Sequence, residues 1–111
     1  MEKMETMETE SEWKNETEKH QDKMAEFLKN YFDREAEERP RYDWFSDLHF
    51  SGTNVDTLDK IKNGTAKIIS INVFYVAGKI EQIHAVFDGE KGGHNIDVYL
   101  KKKALDDYLE N

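Results

Sequence analysis

Between Asn15 and Glu37 the apolar positions recur with helical spacing. Met24, Phe27, Leu28, Tyr31 and Phe32 fall at i, i+3, i+4, i+7 and i+8, which is one face of a helix, and His20 extends that face backward. Asp22, Lys23, Glu26, Lys29 and Asp33 lie elsewhere on the wheel. Asn15-Glu16-Thr17-Glu18 reads as a near capping box, with Asn15 as N-cap, and Trp13 just before it is placed to staple back onto the first turn. Pro40, the one proline, marks a stop.

The period then changes to two. In 42–50, YDWFSDLHF, Tyr42, Trp44, Leu48 and Phe50 share one face, and Asp43, Phe45, Asp47 and His49 the other. After a Ser51–Asn54 turn, Val55, Leu58 and Ile61 return to helical spacing, closed by Asn63-Gly64 as a left-handed cap. Three more strands follow. They place Ile69, Ile71, Val73 and Tyr75 inward, then Ile83, Ala85 and Phe87, then Ile96, Val98 and Leu100. Asp88–Gly93 reads as a flexible hairpin loop between the last two. A final helix from about Lys102 turns Leu105, Tyr108 and Leu109 inward.

Short connections between successive strands require antiparallel pairing. The expected fold is therefore α+β: a long N-terminal helix on a curved four-stranded antiparallel sheet, a short helix between strands 1 and 2, and a short C-terminal helix. Residues 1–12, with a crude Met-Glu triplet, are expected as a flexible acidic segment, and 13–111 as a single domain.

Charge sharpens this picture. The chain carries a net charge of −8 over 111 residues. Residues 1–40 hold 13 acids against 7 bases, and 41–111 hold 11 against 9. A negative field repels phosphate and anionic lipid, so neither nucleic acid nor a membrane is expected as a direct partner. Cysteine is absent, which excludes disulfides and thiolate chemistry and fits a reducing compartment. MEKMETMETE has no basic start and no apolar core of a secretory signal, so the expected location is cytoplasmic, or the host cytoplasm for a viral protein.

No catalytic pattern emerges. Asp43, Asp47 and His49 line one strand face, and a carboxylate beside an imidazole is a possible general-base pair; a solvated polar strand face is the simpler account. His49, His84 and His94 lack close ligand spacing, and the Gly89, Gly92 and Gly93 run leads into a strand rather than a helix N-terminus. No metal, nucleotide or other cofactor is expected. Lys101-Lys102-Lys103 is read as solvating the edge of the last strand.

INVFYVAGKIEQIHAVFD, Ile71 to Asp88, resembles the closing hairpin of NTF2-like and SnoaL-type cone folds, where an apolar strand, a Gly-Lys-Ile turn and an acid-terminated strand recur. DWFSDLHFSG falls where such folds place an aromatic strand before a short helix. The resemblance implies a small-molecule-binding protein or minor enzyme, and it transfers no functional residue. The chain lacks the strands expected between the short helix and this hairpin and adds a strand and helix after it.

The leading functional expectation is a non-enzymatic protein-binding module, an inhibitor or immunity-type factor of viral or bacterial kind. It would dock on a basic surface of a target, itself of a nucleic-acid-binding sort. Glu12, Glu16, Asp22, Glu26, Asp33, Glu35, Glu37 and Glu38 would supply the field, with Trp13 as anchor. The first alternative is a pocket between helix and sheet lined by Asp43, Asp47, His49 and His84. The second is a homo-oligomeric structural protein, a homodimer for example, that pairs edge strands or the 1–39 helix.

Overall fold

The computed structural model describes residues 10–37, 46–90 and 93–110. Within them the chain is α+β. Its elements are β1 (Ser11–Asn15), α1 (Thr17–Glu37), β2 (Leu48–Ser51), α2 (Val55–Asn63), β3 (Ile68–Val76), β4 (Lys79–Phe87), β5 (Ile96–Leu100) and α3 (Lys102–Glu110). One antiparallel sheet of five strands runs in the order β1-β3-β4-β5-β2.

The fifth strand corrects the four-stranded expectation. Ser11–Asn15 pairs with Val76–Asn72 of β3, so Ser11 and Glu12 are strand rather than flexible lead-in, and Trp13 is in the sheet rather than beside a helix cap. SEWKN has little local strand propensity. Its partner ladder supplies the backbone hydrogen bonds, and Trp13 stacks on Phe74 with centroids 4.9 Å apart. A second correction concerns the edges. β5 lies between β4 and β2, so Lys101–Lys103 do not guard a sheet edge, and Lys102 and Lys103 open α3. β2 is shorter than the expected 42–50 strand, and residues 42–45 lie outside the described residues.

The core sits on one face of the sheet. Met24, Leu28 and Tyr31 of α1, Ile61 of α2, and Ala104, Leu105 and Tyr108 of α3 pack against the inward residues of the strands. Those are Leu48, Ile71, Val73, Ile83, Ala85, Phe87, Ile96, Val98 and Leu100. Strict alternation puts Ile69 inward, yet it is 47% exposed. The register slips between Ile68 and Ser70, making Ile69 the extra residue of a β-bulge and turning Ile68 to the core in its place. Leu109 is likewise exposed, and Ala104 fills the inward position of α3.

The helix ends are held by specific side chains. α1 begins at Thr17, two residues beyond Asn15, whose Oδ1 accepts from the Thr17 N–H and hydroxyl. The Thr17 hydroxyl oxygen in turn accepts the Ile71 N–H, tying the helix start to β3. Asn54 caps α2 by accepting the Thr57 N–H, and Gly64 ends it at φ 76°, a left-handed position that suits glycine. The 88–95 connection is tied down where it is described. Asn54 Nδ2 donates to the carbonyls of Gly89 and His94, and Asn95 Oδ1 accepts from the Gly89 N–H.

Candidate functional site

All three helices pack on one face of the sheet, and no described helix covers the other. Strand alternation and register decide what that open face presents. Asn15, Asn72, His84, Tyr99 and His49 stand opposite one another in a single row across all five strands. Trp13, Phe74 and Gln82 form the adjoining row.

The rings make a continuous band. Trp13 lies tilted on Phe74 and meets His84 edge-on at 6.5 Å. His84 stacks on Tyr99, with centroids 4.4 Å apart and planes 1° from parallel. Tyr99 meets His49 at 5.9 Å. Aromatic contacts at these separations are attractive beyond the area they bury. At the β1 end Trp13 is 49% exposed, the largest side chain in the described residues to show so much surface.

The band is also poor in charge. Ser70, Asn72, Phe74, Gln82, His84, Val86, Asp97 and Tyr99 line the middle of this face on the three central strands, and of them only Asp97 is formally charged at neutral pH; Lys79, opposite Val76, adds a charge at the β3–β4 hairpin end. Over the whole chain 36% of residues are charged, so this face departs from the rest of the surface. Asp97 Oδ1 is 3.3 Å from His84 Nε2, close enough for an ion pair with a protonated ring. The approach is off the hydrogen-bonding direction, and that buried ring nitrogen has no hydrogen-bond partner.

A second polar group lies under the helices. Tyr75 donates its hydroxyl to Glu16 Oε2 at 2.8 Å, Glu16 Oε1 is 3.2 Å from His20 Nε2, and His20 Nδ1 is 2.8 Å from the Tyr108 hydroxyl. Burial alone would raise the Glu16 pKa, but the hydrogen bonds from Tyr75 and His20, aided by Lys19, outweigh it and hold the carboxyl below 4.5. Bonding to Glu16, and then burial, raise Tyr75 above 10.0, and burial raises Tyr108 much further. The His20 ring bridges Glu16 and Tyr108, with Nε2 facing the carboxylate and Nδ1 facing the hydroxyl, and its tautomer sets which nitrogen donates. Tyr108 is fully buried and His20 is 7% exposed. The chain joins β3, the start of α1 and α3 and satisfies buried polar atoms; it is a structural tie.

The residues singled out from sequence fall in several places. Asp22, Glu26 and Asp33 are exposed on the outer side of α1, while Glu12 is on β1 and Glu16 is engaged by Tyr75 and His20. Trp13 belongs to the open sheet face, on the opposite side of the sheet from α1. The side chains of Glu35 and Glu37, and all of Glu38, lie outside the described residues, as does Asp43.

The pocket expected between helix and sheet is not assembled by its named residues. His49 and His84 are on the open face, flanking Tyr99, because odd and even strand positions face opposite ways. Asp47 instead accepts the Lys103 N–H and caps α3. Among the described residues no group of three or more His, Asp or Glu side chains is placed to hold a metal ion. Nor is any described helix long and apolar enough to cross a membrane.

Sequence reasoning missed Phe74 and Tyr99 as members of a band. Their outward parity was readable, but the cross-strand register that aligns them was not. Comparison with known proteins yields no matching family model, no matching curated protein and no matching solved structure. The resemblance to cone folds thus rests on the Ile71–Asp88 and DWFSDLHFSG stretches alone.

Proposed function

We propose that this chain is a non-enzymatic protein-binding module that receives a basic target on the open face of its sheet. The observation that carries the reading is the charge-poor aromatic band running from Phe74 and Trp13 through His84 and Tyr99 to His49. Interface centres are depleted in charge and enriched in Trp and Tyr. Aromatic faces also attract arginine guanidinium groups, each contact contributing about 0.5–2 kcal/mol according to its desolvation. A net charge of −8 would steer such a target inward and repel free phosphate backbones. A small acidic inhibitor or immunity-type factor acting on a basic, nucleic-acid-binding target fits this chemistry.

A second reading has its own support. Glu18, Asp22 and Glu26 stand exposed at i, i+4 and i+8 on α1, and none forms an ion pair within the described residues. Like charges at that spacing weaken a helix slightly, so the column costs stability and would suit a basic partner docking on the helix.

Titration of the labelled protein with an arginine-rich peptide, followed by amide and aromatic NMR shifts, separates the two readings. Perturbations centred on Trp13, Phe74, His84 and Tyr99, weakened by Tyr99→Ala, support the sheet face. Shifts confined to Glu18, Asp22 and Glu26 favour the helix. Equal response to an arginine-rich and an acidic peptide would remove the support for a basic target.

A further inference from the structure

The outer edge of the sheet at β1 is a strand with nothing beside it among the described residues, and all five of its residues are exposed. Two bonds fix the phase of its ladder with β3: Glu16 N–H to the Ile71 carbonyl at 2.8 Å and Ala77 N–H to the Glu10 carbonyl at 2.9 Å. Glu10, Glu12, Lys14 and Glu16 therefore turn their backbone groups toward β3. Ser11, Trp13 and Asn15 turn theirs outward, where no described residue takes them. Exposed edges of this kind are commonly protected by proline, a bulge or a like charge that repels a second strand. Ser11–Asn15 contains no proline, pairs with β3 in unbroken register, and has one acid and one base rather than a single sign.

The order of those charges is self-complementary. If the strand is laid antiparallel to its own copy about Trp13, Ser11 faces Asn15 and Glu12 faces Lys14 on both sides of the two-fold axis. Trp13 then faces Trp13. The three residues that meet across the axis as hydrogen-bonded pairs are the three whose backbone groups point outward, so each outward N–H finds a carbonyl. Glu12 and Lys14 already lie on the same side of the strand, 4.0 Å apart within one chain and about half exposed. The copy offers each of them a partner directly opposite, the geometry in which cross-strand charge pairs act.

We propose that β1 is an interface to a second copy of this chain, pairing antiparallel about Trp13 to join two five-stranded sheets into one of ten strands. The helices of both copies fall on one side, and the two aromatic bands become continuous across the axis through the paired Trp13 rings. A contact of five residues per chain is small, so the dimer is weak and concentration-dependent. The inference does not depend on the identity of any target.

Sedimentation of the full chain near physiological salt, at concentrations reaching about 1 mM, tests it. Mass should rise from 13.1 kDa toward twice that value. Glu12→Lys and Lys14→Glu each place like charges opposite one another in two symmetric pairs, and each should weaken the dimer about tenfold. Combining the two substitutions restores opposite charges and should restore the dimer. A monomer at every concentration overturns the proposal. So does a dimer that is indifferent to the single reversals, or one that the combined variant fails to recover.

Discussion

The imidazole of His84 and the phenol ring of Tyr99 lie parallel, with centroids 4.4 Å apart, on adjacent strands of the helix-free face. They are directly opposed across β4 and β5, and Trp13 and His49 extend the contact on either side. Removing Tyr99 interrupts the band at its middle without touching the core, because Tyr99 points away from Val98 and Leu100. Tyr99→Ala should therefore cost little stability, on the order of 1 kcal/mol for the lost cross-strand ring contacts. Its effect on capture of an arginine-rich peptide should be much larger. Urea denaturation set beside a binding titration measures both, and a large loss of stability with binding intact would contradict this division of labour.

The Tyr108 hydroxyl is the end of a buried chain, and its partner is His20 Nδ1 at 2.8 Å. Tyr108→Phe keeps the ring against Phe27 but leaves that nitrogen unsatisfied beside the core. Such a buried orphan costs about 1–3 kcal/mol. In a double-mutant cycle with His20→Ala, the two losses should be less than additive, since either substitution ends the same bond. Additive losses would mean that the two side chains contribute independently.

The same chain sets limits on pH. The folded Glu16 pKa is below its usual 4.5, so its contribution is fully present above that value and is lost as pH falls through the lower, folded one. Tyr75 and Tyr108 are displaced upward from 10.0, so their contribution is full below pH 10.0 and declines as pH rises past it. Denaturation midpoints across pH should therefore fall at both ends. Glu16→Gln should flatten the acid limb, and Tyr108→Phe the alkaline one. An acid limb unchanged by Glu16→Gln would show that another group governs it.

How much of this was legible in the sequence varies by element. Ile83, Ala85 and Phe87 alternate without interruption, and they are buried as their period requires. Met24, Leu28 and Tyr31 obey the helical period in the same way, and Gly64 closes α2 where the Asn-Gly pair places it. β1 was not legible, because one tryptophan among polar residues gives no period, and its strand state comes from pairing with residues some sixty positions away. Ile69 misled for a related reason: a bulge is set by the register against β4, which no single strand encodes. The acidic arm was read as one surface from spacing along the chain. Glu16 was drawn into a hydrogen-bond chain with Tyr75, however, and Trp13 was turned to the other side of the sheet.

Asn54 is one of the side chains that join α2 to the 88–95 connection, beside Thr57, whose hydroxyl donates to the Asp88 carbonyl, and Lys60, which pairs with Glu90, and its two ends do separate tasks. Oδ1 accepts the Thr57 N–H at 3.2 Å and caps the helix, while Nδ2 donates to the carbonyls of Gly89 and His94. Asn54→Ala removes both, and loss of the cap alone costs about 1 kcal/mol. Asn54→Asp keeps an acceptor at the cap, and its charge is favourable at a helix N-terminus, but it cannot donate to either carbonyl. The aspartate should thus retain helix stability while loosening the connection. Amide exchange at Gly89, whose N–H is held by Asn95, should quicken in both variants, whereas exchange in α2 should quicken only in the alanine one. If the aspartate left Gly89 as protected as in the parent, the two donated bonds would not be what holds that connection in place.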